Sequence, residues 1–197
     1  MRKLLLFAIG LMLGGCGTLK DPYAPETAAQ APLPAGSALI IFSTGAARKC
    51  VADSTFLKLL PEGAPEERKE LARISVDAWA VKSDFADHQG RLHVIPIAPG
   101  SYYFAPRIDN PNVRSILQPR VSFAVSAGER VYLGEYYMPE ACTMSTRYDV
   151  HDEMTRDIAL LESKDPSFDT SKVTKRLMVL SGGVPPCDAT NSKLTCY

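Results

Sequence analysis

The feature that most restricts the fold is a series of short apolar runs, each closed by glycine, proline or a polar break, at a spacing of roughly 8–12 residues. Ser37 to Ser43 is the first and ends at Thr44-Gly45; Ser54 to Leu60 is a weaker second, followed by a turn at Pro61–Pro65 and a helical turn at Glu66–Ala72. Arg73 to Lys82 places Ile74, Val76, Ala78 and Ala80 on one face. Leu92 to Ile97 and Ser101 to Arg107 flank a Pro99-Gly100 turn. Arg120 to Val125 alternates Val121, Phe123 and Val125, Ala127-Gly128 breaks it, and Arg130 to Met138 and Cys142 to Tyr148 follow. Alternation of period two is the mark of strands, and many short strands joined by tight turns favour a sandwich of two sheets.

One segment has a different period. Between 149 and 163, Met154, Ile158 and Leu161 fall on a single helical stripe, so a helix is expected over 152–163. Asp149 or Asp152 can cap its start, Lys164 suits its C-terminal pole, and Asp165-Pro166 ends it. Residues 172–180 fit either a helix, through Val173, Leu177 and Leu180, or a short strand at Leu177–Leu180; the three-position match favours the helix. The 130–138 strand is apolar on both faces, with Val131, Leu133 and Tyr137 on one and Tyr132, Tyr136 and Met138 on the other. A half-exposed sheet shows polar residues on its outer face, so the helix is expected to cover this one. The expected fold is mainly β: one sandwich domain over 37–180 with one or two C-terminal helices on a sheet face, then a cysteine-containing tail at 181–197.

The N-terminus carries an address. Arg2 and Lys3 precede an apolar run from Leu4 to Leu13, far shorter than the roughly 20 residues needed to span a bilayer. The run ends in Leu13-Gly14-Gly15-Cys16, which resembles a bacterial lipobox. That resemblance implies a signal peptide at 1–15 and a mature chain beginning at Cys16, which carries thioether-linked diacylglycerol and an N-acyl chain such as palmitate. Gly17, where aspartate would retain the protein in the inner membrane, implies transport to the outer membrane. Residues 16–36 are rich in proline and alanine and read as a tether; Gly17–Gly36 would reach ~65 Å when extended. Removal of Arg2 and Lys3 leaves 20 basic against 22 acidic residues. A near-neutral domain offers no electrostatic case for nucleic acid.

Within the domain, Ile97-Ala98-Pro99-Gly100-Ser101-Tyr102-Tyr103-Phe104 looks like the PG-x-Y hairpin of carboxypeptidase-regulatory-like and PEGA-type sandwiches. Phe123–Gly128 and Val131–Gly134 resemble the next two strands in uncharacterised bacterial lipoproteins with such a domain. The resemblance spans residues 91–137. It implies a transthyretin-like or immunoglobulin-like sandwich and brings no catalytic residues with it.

With Cys16 assigned to lipid, Cys50, Cys142, Cys187 and Cys196 form an even set, as expected of disulfides in an oxidising compartment. Cys187–Cys196 is the favoured pair because little else holds the tail, which leaves Cys50–Cys142. The histidines at 88, 93 and 151 show no zinc-ligand spacing, and no Cys-x-x-Cys, Gly-x-Ser-x-Gly, P-loop or dinucleotide fingerprint occurs in the domain. No catalytic residue, metal or further cofactor is therefore expected. Tyr102, Tyr103, Tyr132 and Tyr136 are the one hint of a binding surface. The expected function is a lipid-anchored, periplasm-facing, non-catalytic interaction or envelope-assembly module with a protein partner. The alternatives are a hydrolase of envelope polymers and a small-ligand or glycan binder using the tyrosine strands.

Overall fold

The computed structural model describes residues 23–24, 34–52, 54–65, 68–108, 120–142 and 147–181. Two sheets pack face to face. The first runs in the order β4 (Gln89–Ile97), β1 (Ala38–Ala46), β7 (Arg130–Met138) and β8 (Asp149–His151), with β9 (Val173–Lys175) also on β7. The second is β10 (Val179–Ser181), β6 (Arg120–Val125), β5 (Gly100–Ile108), β2 (Thr55–Pro61) and β3 (Ala72–Ser75). All pairings are antiparallel except β1–β7 and β7–β9. The chain is mainly β and forms a sandwich, as its sequence periodicity requires.

Between the sheets lies the principal core. Ile40 and Phe42 of β1, Leu57 and Leu59 of β2, Phe104 of β5, Phe123 of β6 and Leu133 and Tyr136 of β7 meet there. Phe104 sits between Phe42 and Phe123, with ring centroids 4.8 and 5.3 Å away. The Pro99 turn joins β4 to β5, and the Tyr102 hydroxyl closes it by donating to the Ala98 carbonyl at 2.8 Å.

The outer face of the first sheet is covered too. Helix α1 (Met154–Lys164) lays Leu161 on Leu39, Ile41, Leu92, Val94 and Tyr132, with Met154 and Ile158 packed alongside. Every residue of β1 is consequently buried. The molecule is three layers deep: sheet, sheet, helix.

Several expectations need correction. Residues 172–180 are not helical: a 3-10 turn at Thr170–Lys172 leads into β9 and β10. Two sheet edges, at β7 and β6, offer unpaired backbone groups there, and this outweighs a three-residue stripe. The first strand does not stop at Thr44-Gly45 but continues to Ala46. A Cβ on Gly45 would come within 2.7 Å of Glu135 Oε1 and of the Tyr137 ring; glycine there serves close packing, not a turn. The third strand ends at Ser75, and the chain then bends through Asp77 towards an isolated bridge between Cys50 and Ala78. Strand β8 occupies Asp149–His151, beyond the expected Cys142–Tyr148, of which residues 143–146 lie outside the described set. Asp149 therefore cannot cap α1. Glu153 is the N-cap and makes no side-chain cap bond; Asp152 only accepts a long bond, 3.4 Å, from the Met154 N–H.

The faces of β7 differ from strict alternation. Residues Ser43 and Glu135 pair after Ile41 and Tyr132, so β7 carries one extra residue against β1. Gly134, at φ +95°, sits in this bulge. The bulge shifts the parity, so that Val131, Leu133, Tyr136 and Met138 all enter the sandwich core. Tyr132 lies under α1, and Glu135 meets residues of α1 as described below. Such a bulge moves every later side chain to the opposite face.

The expected tether is also pinned in part. Tyr23 accepts a hydrogen bond from the Val94 N–H at 2.8 Å, and Ala24 is buried. The signal segment, Cys16 and the tail cysteines Cys187 and Cys196 lie outside the described residues.

Candidate functional site

Polar chemistry concentrates in two places. The first is the space between α1 and the first sheet. Asp157 lies on the same helical stripe as Met154, Ile158 and Leu161 and is completely buried. Its Oδ2 accepts from Ser43 Oγ at 2.5 Å and from the Tyr132 hydroxyl at 2.8 Å. Its Oδ1 accepts from Arg156 Nε at 2.9 Å. The same guanidinium donates through Nη2 to Ser43 Oγ at 3.1 Å and to Glu135 Oε1 at 3.0 Å, and it lies 4.0 Å above the Phe85 ring. Burial pushes the Arg156 pKa down, but Asp157 and Glu135 outweigh it and hold the group above its ordinary range. Burial first, and the adjoining Asp157 second, push the Tyr132 phenol far up.

From Glu135 the network continues outwards. His88 Nε2 is 3.0 Å from Glu135 Oε1, and His88 Nδ1 is 2.7 Å from Asp87 Oδ1. The His88 hydrogen bond is the main cause of the lowered pKa of exposed Asp87. His151 Nδ1 faces Glu135 Oε2 at 3.7 Å, and its ring stacks on Tyr137. Glu135, His151 and Glu153 offer ligand atoms within 4.8 Å of one another and could hold a cation. However, Arg156 already places a positive charge there, with Nη1 3.9 Å from Glu153 Oε2. On the outer side of this network, a groove of about 660 Å³ runs along α1, lined by Glu153 and Arg156 together with Met154, Ile158 and Lys175. Ser43 is wholly buried and committed to Asp157 and Arg156. The arrangement ties helix to sheet; it presents no exposed nucleophile.

The second place is a knuckle at the end of the sandwich where β1 and β7 finish. Cys50 and Cys142 are joined by a disulfide that links the loop after β1 to the loop after β7. Cys50 N–H donates to the Asp77 carbonyl at 2.7 Å, and Trp79 N–H donates to the Cys50 carbonyl at 2.9 Å. The Asp77 carboxyl is fully buried and accepts from the Thr55 N–H at 2.6 Å and from the Cys142 N–H. Burial pushes its pKa up in spite of those donors. Held on this frame, Trp79 is 61% exposed and Val51 85% exposed. Trp79 is the only tryptophan in the chain, and a bare indole is the most unusual surface feature among the described residues.

The expected tyrosine surface is absent. Tyr102, Tyr103, Tyr132 and Tyr136 are all buried, and they do not share a face. Tyr102 and Tyr136 belong to the sandwich core, and Tyr132 to the layer under α1. Tyr103 lies outside the second sheet with Leu60 and Ala105, its hydroxyl donating to the Ala64 carbonyl at 2.7 Å. A ligand-binding reading based on these four is thereby removed. His93 is buried in the sandwich, 3.1 Å from Thr44 Oγ1.

Sequence reasoning missed Glu135, Asp157, Asp77 and Trp79. For the first two a signal was present: a carboxylate within a strand apolar on both faces, and another on the apolar stripe of the helix. Either implies a buried partner. Asp77 gave none, because strict alternation put it on the outside of its strand.

No protein-family model matches the chain, and no curated protein matches it.

Proposed function

We propose that the chain is a lipid-anchored, periplasm-facing outer-membrane lipoprotein that acts as a non-catalytic docking or envelope-assembly module. The observation that carries this reading is the exposed Trp79 beside Val51 on a disulfide-braced knuckle. Tryptophan is the residue most enriched at interaction hot spots, where it gives a large apolar area at little conformational cost. A rigid frame further lowers the entropy lost on binding. The partner is an envelope protein with an apolar pocket wide enough for an indole. The lipobox-like Leu13-Gly14-Gly15-Cys16 supplies the membrane attachment, and three acyl chains hold a protein stably without any lipid-binding surface of its own. The sandwich is read as a carboxypeptidase-regulatory-like or PEGA-type domain of transthyretin-like or immunoglobulin-like type. Support comes from the Pro99-Gly100 turn that Tyr102 closes, although it carries the chain from the first sheet to the second and does not form the expected hairpin, since β4 pairs with β1 and β5 with β2 and β6.

A photo-crosslinking residue in place of Trp79, expressed in intact cells, tests the docking face. One dominant envelope-protein adduct is expected, and the same probe at exposed Glu162 should give none. Equal, diffuse labelling from both positions would overturn the reading. Cys16→Ser should release the protein from membranes; retention in the outer-membrane fraction would refute the anchor.

A further inference from the structure

We propose that the Cys50–Cys142 disulfide is an exchangeable redox couple that takes a dithiol as its substrate, with Asp77 as its internal proton donor. Three observations meet at this place. Asp77 Oδ2 lies 3.1 Å from Cys50 Sγ. A disulfide sulfur carries no hydrogen, so a hydrogen bond across that gap exists only when the carboxyl itself supplies the proton. The two cysteines also differ in exposure: Cys50 is 1% exposed, whereas Cys142 is only partly buried. Third, Cys142 has φ +63°, the one positive value among the described non-glycine residues, a conformation that a non-glycine residue holds only when its surroundings enforce it.

The chemistry follows from this asymmetry. A dithiol in its thiolate form attacks Sγ of Cys142, the more exposed cysteine; the new bond is the mixed disulfide with Cys142, and the Cys50–Cys142 bond breaks. The electron pair leaves on Cys50 Sγ, which takes the Asp77 proton and becomes a thiol. The Asp77 carboxylate so formed keeps the Thr55 and Cys142 N–H donors and gains the Cys50 S–H. The second thiol of the substrate, as its thiolate, then attacks the mixed disulfide at its own sulfur and releases the Cys142 thiolate, which protonates from water. The substrate dithiol is oxidised to its disulfide, and Cys50 and Cys142 are reduced. Protonating the departing thiolate speeds exchange because a better leaving group departs faster. Burial favours the neutral carboxyl needed at the start, since it holds the Asp77 pKa above the usual carboxylate range.

The test uses the full chain in detergent with dithiothreitol as the dithiol. Reduction is followed by acid quench and peptide-resolved alkylation of Cys50 and Cys142 from pH 5 to 9, and each rate is divided by the dithiothreitol thiolate concentration. In the wild type this normalised rate should be at least about tenfold higher at the acid end and should fall as Asp77 loses its proton. Asp77→Asn should flatten the profile at the lower level. A monothiol, which leaves the intermediate trapped, should be found on Cys142. A flat wild-type profile, a superimposable Asp77→Asn profile, or an adduct on Cys50 overturns the proposal. The wild-type profile and the adduct position decide it even if the variant does not fold.

Discussion

The underside of α1 and the disulfide knuckle both bury carboxyl groups, yet they neutralise them by different means. Beneath the helix, Asp157 and Glu135 share one guanidinium, and a hydroxyl from each of Ser43 and Tyr132 completes Asp157. At the knuckle, Asp77 has backbone N–H donors and a sulfur, and no basic side chain pairs with it among the described residues. A paired buried carboxylate stays charged and holds two layers together; an unpaired one favours its neutral form, which has a proton to give. The first region is closed by its own ion pairs. In the second, the buried acid touches the sulfur of Cys50, close in the chain to an exposed indole, and the bonded cysteine, Cys142, is partly exposed.

Substitutions can break this contrast, beginning with the largest expected effect. Replacing both Cys50 and Cys142 by serine opens a loop with a sequence separation of 92 and should lower stability by about 4–5 kcal/mol on the chain-entropy estimate, measured by urea unfolding. A loss under 1 kcal/mol would mean that the knuckle is not braced by the bridge. Next, Arg156→Ala leaves Asp157 and Glu135 without their shared cation. About 3 kcal/mol should be lost, at the low end for a broken buried pair because Arg156 is partly exposed and water can enter. Asp77→Ala strands the Thr55 and Cys142 N–H groups, at about 1–3 kcal/mol.

Asp77→Asn separates charge from hydrogen bonding. The folded-state pKa of Asp77 is raised, so its stabilising contribution is full below the unfolded value near pH 4 and is lost as pH rises through the folded value. The variant should therefore lack this decline and match or exceed the wild type at neutral pH. An unchanged pH dependence between the two would show that Asp77 is not a buried neutral acid. The smallest stability effect belongs to Trp79→Ala, within about 0.5 kcal/mol because the side chain is exposed. The same change should abolish the envelope-protein adduct formed by a photo-crosslinker placed at Val51.

Much of this architecture is legible in the sequence, and the reasons differ by element. Val121, Phe123 and Val125 alternate cleanly because β6 is covered on one face only, and its bounds coincide with the expected ones. Met154, Ile158 and Leu161 pack on the sheet because their stripe is the only apolar side of α1. Two kinds of information were hidden. A bulge at Gly134 changes which β7 residues face inwards, and no local pattern reports an inserted residue. Partner choice at sheet edges converts 173–175 and 179–181 into strands, which is a tertiary decision. The sites suffered most. The tyrosines are conspicuous in sequence for the same reason that they are buried, namely size and strand preference. Asp77, in contrast, acquires its meaning only from Cys50, which lies 27 positions earlier.

Tyr23 on the β4 edge has a mechanical consequence. For a chain anchored at Cys16, six residues would separate the lipid from Tyr23, whose carbonyl accepts from the Val94 N–H. At ~3.3 Å per residue the leash spans only ~23 Å from the lipidated residue to the domain, about a third of the length a free Pro/Ala segment would give. If the proposed anchor holds, so short a lead would fix posture as well as distance, keeping the Tyr23 end of the first sheet near the bilayer. A partner would then have to lie within a narrow shell above the membrane, and lengthening the lead by insertion before Tyr23 would move that shell outwards.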